Sequence, residues 1–259
     1  MANLGGITLK EVITFQTQIM LGSQFGRVVA ENATKDDLLI ACLRMGWNDA
    51  FRHTSRNTKQ ALPGKAKKDW PSILAWSETQ WRQNGAHPAP HDDFICGKIL
   101  NTQVVLSTFL AFSQAKSTEE KVLCIQRNFE ALKVLFAPFK EVDDSQQPLC
   151  FGHFQKMFNI ATKLYVCLYL CRDYLEFPHN KFYPEVIDNL QHADCPIDSI
   201  ILNQVSKVSH TNYTNHKWSQ YGGKYPLEAY TAVQDTIANL DDVGENSNLY
   251  YDFIAWKQP

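Results

Sequence analysis

At 259 residues the chain is long enough for one large core or two small ones, and an apolar fraction of 44% is that of an ordinary globular protein. A net charge of −2 excludes nucleic-acid binding driven by overall basicity and leaves that task to a local patch. The opening MANLGGITLKE lacks the charged-then-apolar order of a secretory leader, and no apolar run is long enough to span a bilayer.

In chain order, residues 7–30 form a first predicted helix around Val12, Phe15, Ile19, Met20 and Phe25. Residues 35–51 (KDDLLIACLRMGWNDAF) form a second, with Thr34 as N-cap and Asp36 and Asp37 in the first turn. A loop is expected over 52–68. It carries Arg52, Arg56, Lys59, Lys65, Lys67 and Lys68, holds no acid, and is broken by Pro63 and Gly64. Such a run is either a solvated loop or a phosphate-contacting surface. Trp70, Trp76 and Trp81 follow it and either stack on a base or staple a helix to the core. Residues 95–112 and 119–136 read as amphipathic helices, with Ser117 and Glu120 as a capping pair.

The stretch 151–175 (FGHFQKMFNIATKLYVCLYLCRDYL) is apolar almost all round, which predicts the central helix of a soluble core. Lys156, Asn159 and Lys163 form one polar stripe on it, with Gln155 four residues before Asn159. Burial disfavours a charged lysine and suits it to act as a base or nucleophile, whereas a lysine that snorkels to the surface has no such role. Further on, Asp198 after Pro196 opens a predicted helix, residues 206–224 read as a polar surface loop, and helices are expected over 230–240 and 249–256. Seven irregularly spaced cysteines, most within apolar runs, read as reduced thiols of a cytoplasmic protein. Nothing follows Cys167 and Cys171 at zinc-site spacing, so neither metal nor cofactor is expected. The fold class is all-α, with about eight helices or more, as one unit over 1–259 or two interleaved lobes.

The order of these features resembles the helix–hairpin–helix DNA glycosylases, and within them the archaeal 8-oxoguanine DNA glycosylase branch. A lysine followed seven positions on by another (KMFNIATKLYVCLY), the PIDSIIL helix start, the front segment LIACLRMGWNDAFRHTSRNTK with KDW, and the closing YTAVQDTIANL and LYYDFIAWK carry the likeness. The FGH before Lys156 stands where that family has a glycine hairpin, and Arg52 stands where its base-reading glutamine is sought. The resemblance implies a bundle with a cleft between two lobes, Lys156 as nucleophile and Asp198 as catalytic carboxylate. It implies a base pocket lined by Asn159, Lys163, Trp70, Trp256 and Arg52, with phosphate contacts from Arg56, Lys59, Lys65, Lys67 and Lys68. The partner implied is double-stranded DNA carrying a modified base, met by a monomer.

The chain is also similar to a prokaryotic antiviral branch that removes glucosylated hydroxymethylcytosine from phage DNA, and the changed pocket residue agrees with a bulkier base. Repair of 8-oxoguanine, a non-catalytic helical adaptor, and a helical ribonuclease using Arg82 and His87 are the alternatives. A glycosylase requires Lys156 and Asp198 to meet; an adaptor leaves them on the surface.

Overall fold

The computed structural model describes residues 5–8, 12, 34–56, 99–136, 149–172 and 179–255, with backbone alone at 48 and 51–56. Among them are nine α-helices and no strand, so the molecule is all-α as the periodicity predicts. We number the helices α1 (Lys35–Arg56), α2 (Gln103–Gln114), α3 (Thr118–Arg127), α4 (Phe129–Leu135), α5 (Phe151–Leu170), α6 (Pro184–Ile187), α7 (Ser199–Ser209), α8 (Leu227–Ala238) and α9 (Asn248–Ala255). None is long and apolar enough to cross a membrane.

Local signals start α1 and α3 where the sequence predicts, whereas α2 opens at Gln103, inside the span expected to be helical from 95, and α8 at Leu227, three residues before its expected start. Thr34 and Asp37 cap α1 reciprocally, the Asp37 amide donating to Thr34 Oγ1 at 3.2 Å and the Thr34 amide to Asp37 Oδ2 at 2.8 Å. Ser117 Oγ accepts from the Glu120 amide at 3.2 Å to open α3. The single helix expected over 119–136 is instead two. Asn128 leaves helical geometry (φ −109°, ψ 8°), and its side-chain amide bonds back to the Cys124 carbonyl. Helix α1 outruns its predicted end by five residues, because nothing before Pro63 and Gly64 breaks it.

Helix α5 is the axis of the fold, and its all-round apolarity reflects a different neighbour on every side. Every residue from Phe151 to Leu168 is buried. Helix α1 packs along it. Phe109 and Phe112 of α2 meet Phe158, Phe129 of α4 meets Phe154 edge-on, Tyr230 of α8 meets Phe151, and Phe182 covers Tyr165 and Tyr169. Such edge-to-face ring pairs add about 0.5–1.5 kcal/mol each beyond the area they bury.

Two glycines set how closely the chain approaches α5. A Cβ on Gly46 would sit 2.1 Å from the Met157 carbonyl oxygen, so α1 crosses α5 backbone to backbone at that level. A Cβ on Gly152 would sit 2.0 Å from the Trp218 carbonyl oxygen. The FGH sequence therefore serves close packing. Residues 213–221, expected in a polar surface loop, fold inward over the head of α5, burying Tyr213, Trp218, Ser219, Gln220 and Tyr221. Their aromatic rings outweigh the surrounding polar residues that suggested exposure.

Candidate active site

Both close approaches converge on Lys156. Asp49 lies one turn beyond Gly46 on α1, and its Oδ2 is 2.9 Å from Lys156 Nζ. The turn beside Gly152 lays the Trp218 ring over the same ammonium, 4.5 Å from ring centroid to Nζ. From a third direction comes Asp198, the N-cap of α7, with Oδ2 3.8 Å from Nζ. Its Oδ1 accepts from the amides of Ile200 and Ile201, both at 2.9 Å. Two backbone donors at the start of α7 thus fix this carboxylate and aim it. Lys156 is 3% exposed, Asp198 14% and Asp49 42%, so a sealed amine faces two acids that reach solvent to different degrees.

The backbone that delivers Asp198 is pinned from behind. Gln155 Nε2 donates to the Ile197 carbonyl at 3.1 Å, and the Ile197 amide returns to Gln155 Oε1 at 3.4 Å. Gln234 holds both polar groups of Cys195, accepting from its amide at 3.1 Å and donating to its carbonyl at 2.7 Å. The Asn159 side-chain amide is 3.2 Å from both Gln155 Oε1 and the Tyr230 hydroxyl. Tyr230 in turn donates to Asp194 Oδ2 at 3.0 Å, and Lys121 and Thr118 engage Asp194 Oδ1 at 2.9 and 3.0 Å. Burial, then the Asp194 charge, pushes the Tyr230 hydroxyl well above its ordinary range, so it stays a proton donor throughout.

Two of the expected pocket residues, Asn159 and Lys163, have partners within the fold. Asn159 faces into this frame with its amide already engaged. Lys163, two turns beyond Lys156, is paired at 2.6 Å with Asp252 of α9, at 6% and 2% exposure. Burial alone depresses an ammonium, but the Asp252 charge and hydrogen bond outweigh it, with Asp49 adding to the push, so Lys163 is raised above its ordinary value. The structure brings together Lys156 and Asp198, the pair whose meeting a glycosylase requires, and puts Lys163 in a separate sealed pair.

Arg52 and Arg56 are in the last turns of α1, with their side chains outside the described residues. Lys59, Lys65, Lys67, Lys68, Trp70 and Trp256 lie outside the described residues altogether, as do Arg82 and His87. Sequence reasoning missed Asp49 and Trp218. The available signals were Gly46 as a crossing point one turn before an acid, and the aromatic WSQYGGKY inside a polar stretch. No protein-family model, no curated protein and no solved structure matches the chain.

Chemically, the centre has an amine that becomes a nucleophile on losing a proton, a fixed carboxylate able to face a developing cation, and a second, more exposed acid bonded to the amine.

Proposed function

We propose that the protein is a DNA glycosylase of the helix–hairpin–helix type, which flips a modified base out of the duplex and excises it to leave an abasic site. The observation that carries this reading is the 3.8 Å approach of Lys156 Nζ and Asp198 Oδ2, from the central helix and from a helix N-cap 42 positions later. The adaptor alternative needs both residues at the surface, and Lys156 is buried.

In the proposed reaction Asp198 faces the cationic charge that builds on the sugar as the N-glycosidic bond breaks. The bond's electron pair leaves with the base, which takes up a proton. The neutral Lys156 amine closes its lone pair on C1′, and the new C–N bond sheds its extra proton to solvent. The nitrogen lone pair then expels O4′, which takes up a proton as the sugar ring opens, and the resulting Schiff base permits β-elimination at the abasic site.

The substrate we favour is double-stranded DNA with a bulky modified cytosine, glucosylated hydroxymethylcytosine of phage DNA, removed as antiviral defence by a cytoplasmic monomer. Arg52 in place of a base-reading glutamine supports the larger base. Trp70 and Trp256 are proposed to stack on it, worth about 1–3 kcal/mol per ring. Helix α1 continues from Asp49 into the basic segment that opens at Arg52, and at 1.5 Å per residue Arg56 is about 10 Å along the axis. We assign phosphate contacts to Arg56, Lys59, Lys65, Lys67 and Lys68.

The test is incubation with unmodified, 8-oxoguanine-containing and glucosylated phage DNA, scoring abasic sites and borohydride trapping. Release from glucosylated DNA supports the full reading, and release from 8-oxoguanine DNA alone moves it to repair. Release of no base from any of the three overturns it.

A further inference from the structure

We infer that Asp49 is the positioning residue of this centre, taking the ammonium of Lys156 so that Asp198 is left for the substrate cation. The inference rests on the reading of Lys156 as a nucleophile and deepens it.

The geometry divides the two acids. Asp49 Oδ2 is at hydrogen-bond distance from Nζ, at 2.9 Å, whereas Asp198 Oδ2 stands off at 3.8 Å. Asp198 has its other oxygen committed to two backbone amides, so it is fixed by its own helix whether or not the lysine is there. Asp49 is also the more exposed acid, at 42% against 14% for Asp198. Gly46 explains why the acid comes from α1: only a residue without a Cβ lets that helix touch the Met157 carbonyl, and Asp49 is one turn on.

The other titratable groups around Lys156 do not substitute for it. His153 of α5 meets Trp218 edge-on at 5.7 Å between ring centroids and accepts the Cys150 amide at Nδ1. From α9, Asp252 is committed to Lys163 at 2.6 Å, and Cys195 is a buried thiol raised first by burial and then by Asp252 and Asp198. Asp49 alone bonds Nζ within 3 Å among the ion pairs of the described residues and also acts on Lys163.

The consequence is a lysine stored as a compensated cation. Entry of a flipped nucleotide, which brings its own phosphates and sugar to the exposed side, separates Asp49 from Nζ and frees the amine to lose its proton.

The experiment reads Lys156 directly. The intact protein is labelled with acetic anhydride across pH 6–11, and modification of Lys156 is followed by peptide mass spectrometry. An opposite charge at this distance favours the charged form by about 1–3 pH units, with the low end appropriate for a half-exposed acid. Asp49→Asn is therefore expected to move the labelling profile of Lys156 to lower pH by about one unit, close to a tenfold gain below the midpoint. Asp49→Glu restores the wild-type profile, and Asp198→Asn moves it less than Asp49→Asn does. A profile unmoved in Asp49→Asn, or moved further in Asp198→Asn, overturns the inference. Borohydride trapping on synthetic abasic-site DNA, with Lys156→Ala as control, is run in parallel. Trapping with an unmoved profile overturns Asp49 alone, while a moved profile without trapping overturns Lys156 as the DNA nucleophile and leaves Asp49 as its partner.

Discussion

Among the described residues, Lys121, Lys156 and Lys163 each meet an aspartate under cover of the core, yet the meetings are of two kinds. Lys121–Asp194 and Lys163–Asp252 are sealed on both sides, each at hydrogen-bond distance. Lys121 also donates to the His192 carbonyl, and Asp194 to its further partners Thr118 and Tyr230 presents both oxygens. Lys156 is as deeply buried, but its two acids both reach solvent, and the better-fixed of them stands beyond hydrogen-bond distance. A sealed pair is cut off from water on both sides, and removing either partner leaves a buried charge uncompensated. The Lys156 centre keeps one carboxylate incompletely used and another within reach of an incoming group. Burial of the lysine therefore does not distinguish structure from chemistry; the state of its partner acids does.

The first way to break this comparison is to remove an acid from each kind of pair. Asp252→Ala leaves the Lys163 ammonium buried without its partner and should cost about 3–5 kcal/mol in urea unfolding. Asp49→Ala, with its carboxylate half in solvent, should cost no more than about 1 kcal/mol. Equal losses would show that the Lys156 centre is a structural pair like the others.

Next in size is the chemical step. Asp198→Asn keeps an N-cap of similar strength and so should leave stability nearly unchanged. In the proposed reaction it removes the charge set to face the sugar, and base release should fall about 100- to 1,000-fold. Full activity in this variant would move the active site elsewhere. Smaller again is Asn159→Leu, which deprives Gln155 and Tyr230 of a buried partner and should cost about 1–3 kcal/mol. Loss of DNA processing with stability intact would instead place Asn159 in the base pocket.

The sequence shows the two kinds of lysine as one stripe. Lys156 and Lys163 have the same spacing, the same apolar surroundings and an amide between them, and nothing local separates them. What does separate them is supplied by distant helices, Asp252 from α9 and Asp49 from α1, and such pairings depend on crossing geometry that periodicity does not encode. Features set by neighbours in the chain were legible. The caps at Thr34, Ser117 and Asp198 and the central place of α5 follow from short-range donors, acceptors and hydrophobicity. The inward fold of 213–221 was not, because composition averages its rings with the exposed Asn, Thr and Lys residues among them.

That inward turn carries the smallest predicted effect. His216 is half-buried, stacked on Tyr225 at 4.6 Å between ring centroids, with Nδ1 3.0 Å from the Tyr221 hydroxyl. Burial lowers its folded value below the usual 6.5. Between those two values the unfolded chain binds more protons than the folded one, so stability rises with pH there. The contribution is fully present above pH 6.5 and is lost as pH falls toward the folded value. His192 is also lowered, by burial and then by Lys121 and Lys116, and adds a slope of the same sign from another part of the fold. Unfolding midpoints measured from pH 7.5 to 5 should therefore fall in the wild type and fall less in His216→Phe, with the His192 share remaining. The same turn places Trp218 over Lys156, so trapping at pH 5.5 should be more strongly reduced in the wild type than in His216→Phe. Parallel slopes in the two proteins would detach this histidine from both the stability of the turn and the lysine beneath it.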